Sequence, residues 1–511
     1  MKIRISFLAM LFFALPIIGQ VHIPIDNPVT WSAQALNDYK GQTVVFDVPM
    51  VVCSNANGNY VVSPWRRFQP ENQGVLGSPE YNETVRINST CMFSLSGISG
   101  YHRCGEKIYN LTVRVDATSV SKLTWQSGTW RGNTRADLQA GLPDLGDYRL
   151  LVCGFNLENY FVANLGSQYM GADSYSEHQD QRAKVSAALK KINADIYGLV
   201  ELEQGNDAVG EIVSDLNKNI PGRNYKYFSE SSSGSFQKVE FVYDANKVEP
   251  IGTPVGSDVE VQHRKKMVCF REIATGEKFI YSINHFKAMN TGGADRRENE
   301  AKAVVKLYNS YRQNANIREN DLLVMGDLNC YAKTDPIMVF TDNGLMDLHR
   351  AFHADSSYSY MFGGLASYID HAICNETFFS QITGMAAYHI NSDEDDKYTY
   401  DKSSDRTMFR CSDHDPVLVG LKLDSTLIYD PTPQINSEAV ISGTADKLVI
   451  QNAHKTGQKS YYAIYTVSGL LHKQDEITSA DFEVPLPQEP GMYIVYVYYD
   501  GVAYQRRMIV R

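Results

Sequence analysis

Between about Tyr148 and Leu423, short apolar strands alternate with helical stretches, and almost every strand ends in an acid, an amide or an imidazole. This alternation commits that part of the chain to a mixed α/β core, because each element must bury an apolar face against another. Arg149–Phe155, Asp195–Val200, Phe241–Tyr243, Met267–Phe270, Phe279–Asn284, Leu322–Met325, Tyr368–Cys374 and Val417–Leu423 read as strands. Gln181–Ile192 sets Val185, Leu189 and Ile192 at helical spacing. Further helices are expected over Asp207–Leu216 and from about Arg297 to Tyr311.

The flanks have a different texture. With 511 residues the chain is too long for one ordinary domain. Met1-Lys2-Ile3-Arg4 followed by apolar Ile5–Ile18 has the order of a secretory signal, with Gly19 near the cleavage point. That run is too short for a membrane span, and no later stretch is long and apolar enough. The expected divisions are a signal peptide (1–19), a β-rich domain (20–147), the α/β domain (148–425) and, after the joint Tyr429-Asp430-Pro431-Thr432-Pro433, a small β-sandwich (435–511). The product is expected to be secreted or on the cell surface.

Export permits disulfides among Cys53, Cys91, Cys104, Cys153, Cys269, Cys330, Cys374 and Cys411, and Cys91 and Cys104 are spaced to staple a hairpin. Cys153 and Cys269 sit in strand-like runs as buried thiols. A net charge of −11 argues against a broad electrostatic clamp on nucleic acid, and Arg264-Lys265-Lys266 and Arg296-Arg297 read as ordinary solvated surface.

The strand ends carry the chemistry. Asn156 lies in FNLEN, Glu201 follows Asp195–Val200, and His285 follows Phe279–Asn284. Asp327 and Asn329 follow Leu322–Met325, Asp370 follows Tyr368-Ile369, and Asp413-His414 precedes the last strand. Singly, each has an ordinary reading as a turn former, a helix cap or a surface histidine. Six such endings, none of them Lys or Ser, suit hydrolysis of a phosphodiester. Mg²⁺, with Mn²⁺ as the alternative, prefers oxygen ligands such as Glu201, Asp413 and the amide oxygen of Asn156. His414 can take the proton of an attacking water, with Asp370 as the carboxylate that fixes its tautomer. The absence of HExxH or a Cys/His cluster argues against zinc, and no GxSxG or Walker loop is present, which removes serine hydrolase and P-loop readings.

FNLEN, GLVELE, INHFKA, GDLN, YIDHA and SDHDPV resemble, in order and spacing, the motifs of the endonuclease/exonuclease/phosphatase superfamily, the deoxyribonuclease I-like proteins. GDLNCYAKTDPI, YSYMFGG, YHINSDE and FRCSDHDPV are similar to its large secreted bacterial nucleases. The resemblance implies a two-layered β-sandwich flanked by helices, with the site at one sheet rim. It implies a divalent ion on Glu201 beside Asn156 and Asp413, with Ca²⁺ as a candidate helper. Asp327 and Asn329 would orient water and phosphate, Asp370 would orient His414 as base, and His285 would stand near the leaving group. A glutamate supports that last histidine in deoxyribonuclease I; here the comparable stretch offers Gln237 or Glu240.

The β-rich domain is similar to the OB-like domains of secreted nucleases, where Tyr60, Trp65 or Phe68 could stack on single strands. The tail resembles a type IX secretion sorting domain, which implies secretion machinery as a partner. Nucleic acid, DNA foremost, is the expected substrate, and a phosphoesterase acting on phospholipid or phosphorylated small molecules is the alternative. Strand preference, endo- or exonucleolytic cutting and oligomeric state are not legible.

Overall fold

The computed structural model describes residues 21–25, 31–230, 234, 236–256, 265–289, 292–423, 440–443, 447–451, 460–466, 471–479, 481–485, 487, 491–499 and 502–510. The expected signal peptide, Arg264 and the Pro-rich joint lie outside the described residues. The chain divides into two compact units, of which the first is Met1–Ala140 with Phe362–Ala366 and Asp393–Lys397.

In the first unit, β1 (Val21–Ile23), β2 (Thr43–Phe46), β3 (Met50–Ser54), β4 (Tyr60–Ser63), β5 (Phe93–Ser96), β6 (Lys107–Val115) and β7 (Lys122–Arg131) form one sheet. Its order is β1-β2-β6-β3-β4-β5-β7, and a further pairing of β6 with β7 closes the sheet from β6 to β7 on itself. Phe46, Val52, Phe93, Ile108, Leu111 and Val113 are fully buried. Buried Glu394 is held by Arg103 Nε at 2.5 Å and Arg135 Nη2 at 2.7 Å. Tyr60 is buried and its hydroxyl donates to the Gly100 carbonyl (3.3 Å), so it offers no exposed ring for stacking.

None of the disulfides that export would permit is formed: all eight cysteines are free, buried thiols, Cys153 and Cys269 among them. Cys91 Sγ donates to the Trp31 carbonyl at 3.3 Å instead of meeting Cys104. Burial pushes the Cys104 thiol up to about 12 and so keeps it protonated.

The second unit contains the α/β section. Its strands are β8 (Leu150–Tyr160), β9 (Ile196–Glu203), β10 (Tyr225–Tyr227), β11 (Gln237–Asp244), β12 (Val248–Val255), β13 (Lys265–Glu272) and β14 (Lys278–His285). They continue with β15 (Leu322–Asp327), β16 (Leu345–Asp347), β19 (Asp370–Asn375), β20 (Ile382–Ala387) and β21 (Val417–Leu421); β17 (Tyr360–Phe362) and β18 (Leu365–Ser367) lie between β16 and β19 in the chain. One six-stranded sheet runs β10-β11-β9-β8-β21-β20 and the other β12-β13-β14-β15-β19-β16.

The inner faces share one core. Leu150, Val152, Ile196, Val200 and Phe241 of the first sheet meet Val268, Phe270, Tyr281, Ile283, Leu323 and Met325 of the second. Each such side chain contributes about 1.5–3 kcal/mol on burial. Gly198 permits the close approach, since a Cβ there would lie 2.3 Å from the Tyr281 hydroxyl oxygen. Helices Ala294–Tyr311 and Asp335–Asp342 cover the outer face of the second sheet. Helices Tyr175–Ile192 and Asp207–Asn219 bury Val185, Leu189, Ile192, Ile212 and Leu216, and the Tyr197 hydroxyl ties β9 to the first of them through the Leu189 carbonyl (2.7 Å). This is the sandwich that the motifs imply.

Tyr175–Ile192 begins before the expected Gln181, because its first turns are polar and are set by Ser174, whose hydroxyl accepts from the Glu177 N–H (3.2 Å). The tail has a three-stranded sheet (Val440–Gly443, Lys447–Gln451, Asp481–Pro485) and a four-stranded one (Leu471–Glu476, Tyr461–Thr466, Gly491–Tyr499, Val502–Val510). Leu448, Ile450, Tyr462, Ile464, Val484, Val495 and Val497 form their common core.

Candidate active site

Strand register brings the predicted residues to one rim. Asn156 on β8 stands opposite Val200 on the parallel strand β9, one residue before Glu201. On the other sheet His285 pairs with Asp327 across parallel β14 and β15, and Asp327 pairs with Asp370 across β15 and β19. His414 is separated by Asp415 and Pro416 from the start of β21, which pairs with β8. Gly326 makes the turn into Asp327 with φ +122°, and a Cβ there would lie 2.0 Å from the Asn284 carbonyl oxygen. Only glycine fits that crossing.

His414 is held from several sides. Its Nδ1 lies 2.8 and 3.0 Å from the two Asp370 oxygens, and Asp370 Oδ2 also accepts from the Ser359 hydroxyl (2.7 Å). Tyr360 packs over the imidazole at 4.8 Å between ring centroids. The Asn391 amide donates to the His414 carbonyl (2.7 Å). Asp415 accepts the backbone N–H groups of Asn391 and Ser392 at 2.8 and 2.9 Å. With Nδ1 bound, Nε2 faces Asp327 Oδ2 (3.9 Å) and Asp413 Oδ1 (3.8 Å). Burial works against charging His414, yet Asp370, Asp413 and Asp327 hold its pKa well above the ordinary histidine range.

His285 Nε2 lies 3.5 Å from Glu201 Oε1 and 3.7 Å from the same Asp327 Oδ2, so both imidazoles face one carboxylate oxygen. Asp327 Oδ2 accepts from the side-chain amides of Asn156 and Asn329, each at 3.1 Å, and Oδ1 accepts from the Asn329 N–H at 2.9 Å. Glu201, in the left-handed region at φ +62°, accepts from the Asn159 N–H (3.0 Å). Burial and the charges of Asp370 and Glu201 push Asp327 up to about 8. Burial and Asp413 raise Glu201.

These carboxylates fit a divalent cation. Glu201, His285 and Asp327 each offer an atom within 4.8 Å of the others, and so do Asp327, Asp370 and His414. A cation would relieve the like-charge repulsion that raises the acids. The structure thus groups Glu201 with Asp327 and His285, whereas Asp413 stands beside His414 with its side chain 31% exposed. The Asn156 amide oxygen accepts from the Glu158 N–H (3.0 Å) and keeps its second lone pair for a cation.

The basic stretches are corrected. Lys265 is buried against Glu300 (3.0 Å), and Lys266 and Lys238 meet Glu240 at 2.7 and 3.2 Å. Buried Arg297 donates to the Gly292 and Lys287 carbonyls at 3.1 and 3.3 Å. Glu240, considered as the support of His285, is taken by these lysines, and the Gln237 amide donates to Asn159 Oδ1. Sequence reasoning gave no role to Ser359, Tyr360, Asn391 or Asp415. The motifs YSYMFGG, YHINSDE and SDHDPV contain them, but nothing in the spacing showed which side chain would touch the histidine.

The sequence pattern described as the Endonuclease/Exonuclease/phosphatase family matches residues 161–414. No curated protein matches the chain. Several solved structures are similar to it. The endonuclease/exonuclease/phosphatase from Bacteroides vulgatus has 15% identity over 54% of this chain and 99% of its own, at a TM-score of 0.38. A mannosyl-6-phosphatase from Bacteroides thetaiotaomicron has 20% identity, 54% and 100% coverage and a TM-score of 0.37. D. rerio TDP2, solved with a single-strand DNA product, has 14% identity, 54% and 99% coverage and a TM-score of 0.37.

Proposed function

Residues 161–414 belong to the endonuclease/exonuclease/phosphatase family and make the chain a hydrolase of phosphate esters, and from that premise we propose that it is a secreted nuclease cutting the phosphodiester bonds of nucleic acid, DNA foremost. Glu201 would hold a divalent cation, Mg²⁺ by its oxygen preference, with Asn156, Asp413 and the Asp327–His285 pair alongside. When bound, the cation supplies positive charge at the phosphoryl oxygen and offsets the carboxylates that keep His414 charged. Asp370 fixes the Nδ1–H of His414, so Nε2 presents its lone pair and takes the proton of the attacking water, a step worth about 10²–10⁴ in rate. Asn329 and Asn156 steady Asp327. His285 Nε2, across the same carboxylate, gives a proton to the leaving oxygen.

One observation favours a diester over a monoester. The lysines beside His285 are committed: Lys265 pairs with Asn284 in the sheet and its ammonium is spent on Glu300, while Lys266 is spent on Glu240. A dianionic monoester would need cations to spare at this acid-rich rim, whereas a diester carries one negative charge. The charged-then-apolar start supports export and the tail's GMYIVYV end supports a sorting role; the free thiols lend export no support.

A substrate panel tests the reading. Purified protein with Mg²⁺ is expected to hydrolyse bis(p-nitrophenyl) phosphate and DNA, with p-nitrophenyl phosphate, sugar phosphates and sphingomyelin at least about tenfold slower, a gap of about 1.4 kcal/mol in barrier. Faster turnover of the monoester or the lipid would sink the nuclease reading.

A further inference from the structure

We infer that the buried pair His349 and Ser357 are positioning residues for His414, acting through Asp370 and the segment Ser357–Tyr360; the inference rests on the hydrolase reading above. His349 lies in the first turn of the helix Leu348–His353, where Asp347 Oδ1 accepts its N–H at 2.9 Å. Its ring stacks on Tyr368 at 4.2 Å between centroids and 15° between planes, and the Tyr368 hydroxyl donates to Asp347 Oδ2 (2.8 Å). Nε2 lies 2.8 Å from the Asp370 carbonyl oxygen, which can only accept, so Nε2 carries the proton. Burial and His371 keep the ring neutral, which leaves Nδ1 to accept from the Ser357 hydroxyl at 2.6 Å.

Both ends of this bridge lead to the base. One end is Asp370, whose carboxylate oxygens lie 2.8 and 3.0 Å from His414 Nδ1. The other is a segment whose next three residues converge on His414 and its neighbour Asp415. Tyr358 stacks on His389 at 3.8 Å and 4°, and His389 Nδ1 lies 2.9 Å from Asp415 Oδ2. The Ser359 hydroxyl donates to Asp370 Oδ2 (2.7 Å), and the Ser359 carbonyl accepts the Asp415 N–H (2.8 Å). Tyr360 forms a backbone bridge to His414 and packs over its ring. An apolar side chain would fill the place of His349 without two polar atoms to satisfy. The imidazole instead fixes the Asp370 main chain against the segment that carries Ser359 and Tyr360, and a shift of either would move His414.

Steady-state hydrolysis of bis(p-nitrophenyl) phosphate with Mg²⁺ by the full chain tests this, with Ser357→Ala made on wild type and on His414→Ala. On wild type, kcat is expected to fall about ten- to a hundredfold while KM stays within about twofold. On His414→Ala the same change should cost less than about twofold, because the group it positions is gone. A merely structural hydroxyl would cost both backgrounds alike, so the two ratios separate the roles. Melting curves establish that Ser357→Ala is folded at the assay temperature; if it is not, His349→Gln, which removes the imidazole bridge, is read in the same way. Wild-type kcat in Ser357→Ala, a loss carried by KM, an equal further loss on His414→Ala, or a fold lost in both variants overturns the inference and leaves the hydrolase reading standing. Wild type that hydrolyses neither this diester nor any other phosphate ester of the panel overturns both.

Discussion

Asp327 lies between the two halves of the site, because both imidazoles and two side-chain amides meet its carboxylate. Its pKa of about 8 stands above the unfolded value of about 3.9, so the metal-free fold is stabilised by its protonated form. That stability is complete below the unfolded pKa and is lost as pH rises through about 8. His349 slopes the other way: burial and His371 hold its pKa well below the ordinary range, so its contribution falls away below about 6.5. Above pH 6.5 His349 contributes no slope, while the raised Asp327 and the raised His414 both lose stabilisation as pH rises. In scanning fluorimetry without metal, wild type should melt lower as pH rises through this range. Asp327→Asn should flatten the slope, and Mg²⁺ should raise the wild-type Tm more at pH 8 than at pH 6. A wild-type Tm that climbs with pH would contradict the raised acid.

At the scale of elements, the strand ends were legible because a residue after an apolar run must fall at a sheet rim, and β14, β15 and β19 do place His285, Asp327 and Asp370 in register. What joined them was hidden. Lys265 and Lys266 read as surface because their partners Glu300 and Glu240 are distant in sequence. The left-handed Glu158 and Asn159 carry no glycine to announce them, and a thiol count cannot show whether two thiols meet. Gly326 was quoted only as part of GDLN, yet it lets Asp327 reach β14. Gly326→Ala should destabilise the fold by about 1–3 kcal/mol through overpacking and backbone strain, measured by urea unfolding. The surviving folded protein should lose kcat, because Asp327 is displaced from both histidines. Wild-type stability and turnover in this variant would show that the crossing is not tight.

Across the whole molecule, the α/β section carries the proposed chemistry and the flanks carry none of its predicted residues. Among the described residues, no helix is long and apolar enough to cross a membrane. The net charge of −11 leaves attraction of a polyanion to the bound cation and to local groups rather than to a broad basic face. In the proposed reaction His414, set by Asp370, takes a proton while a diester is cut with a divalent cation. Nicking of supercoiled plasmid by wild type and His414→Ala, each with Mg²⁺ and with chelator, tests it most directly. Nicking by wild type that stops with chelator and drops about 10²–10⁴-fold in His414→Ala is the predicted result. Intact plasmid with wild type, or equal nicking by the variant, would contradict it.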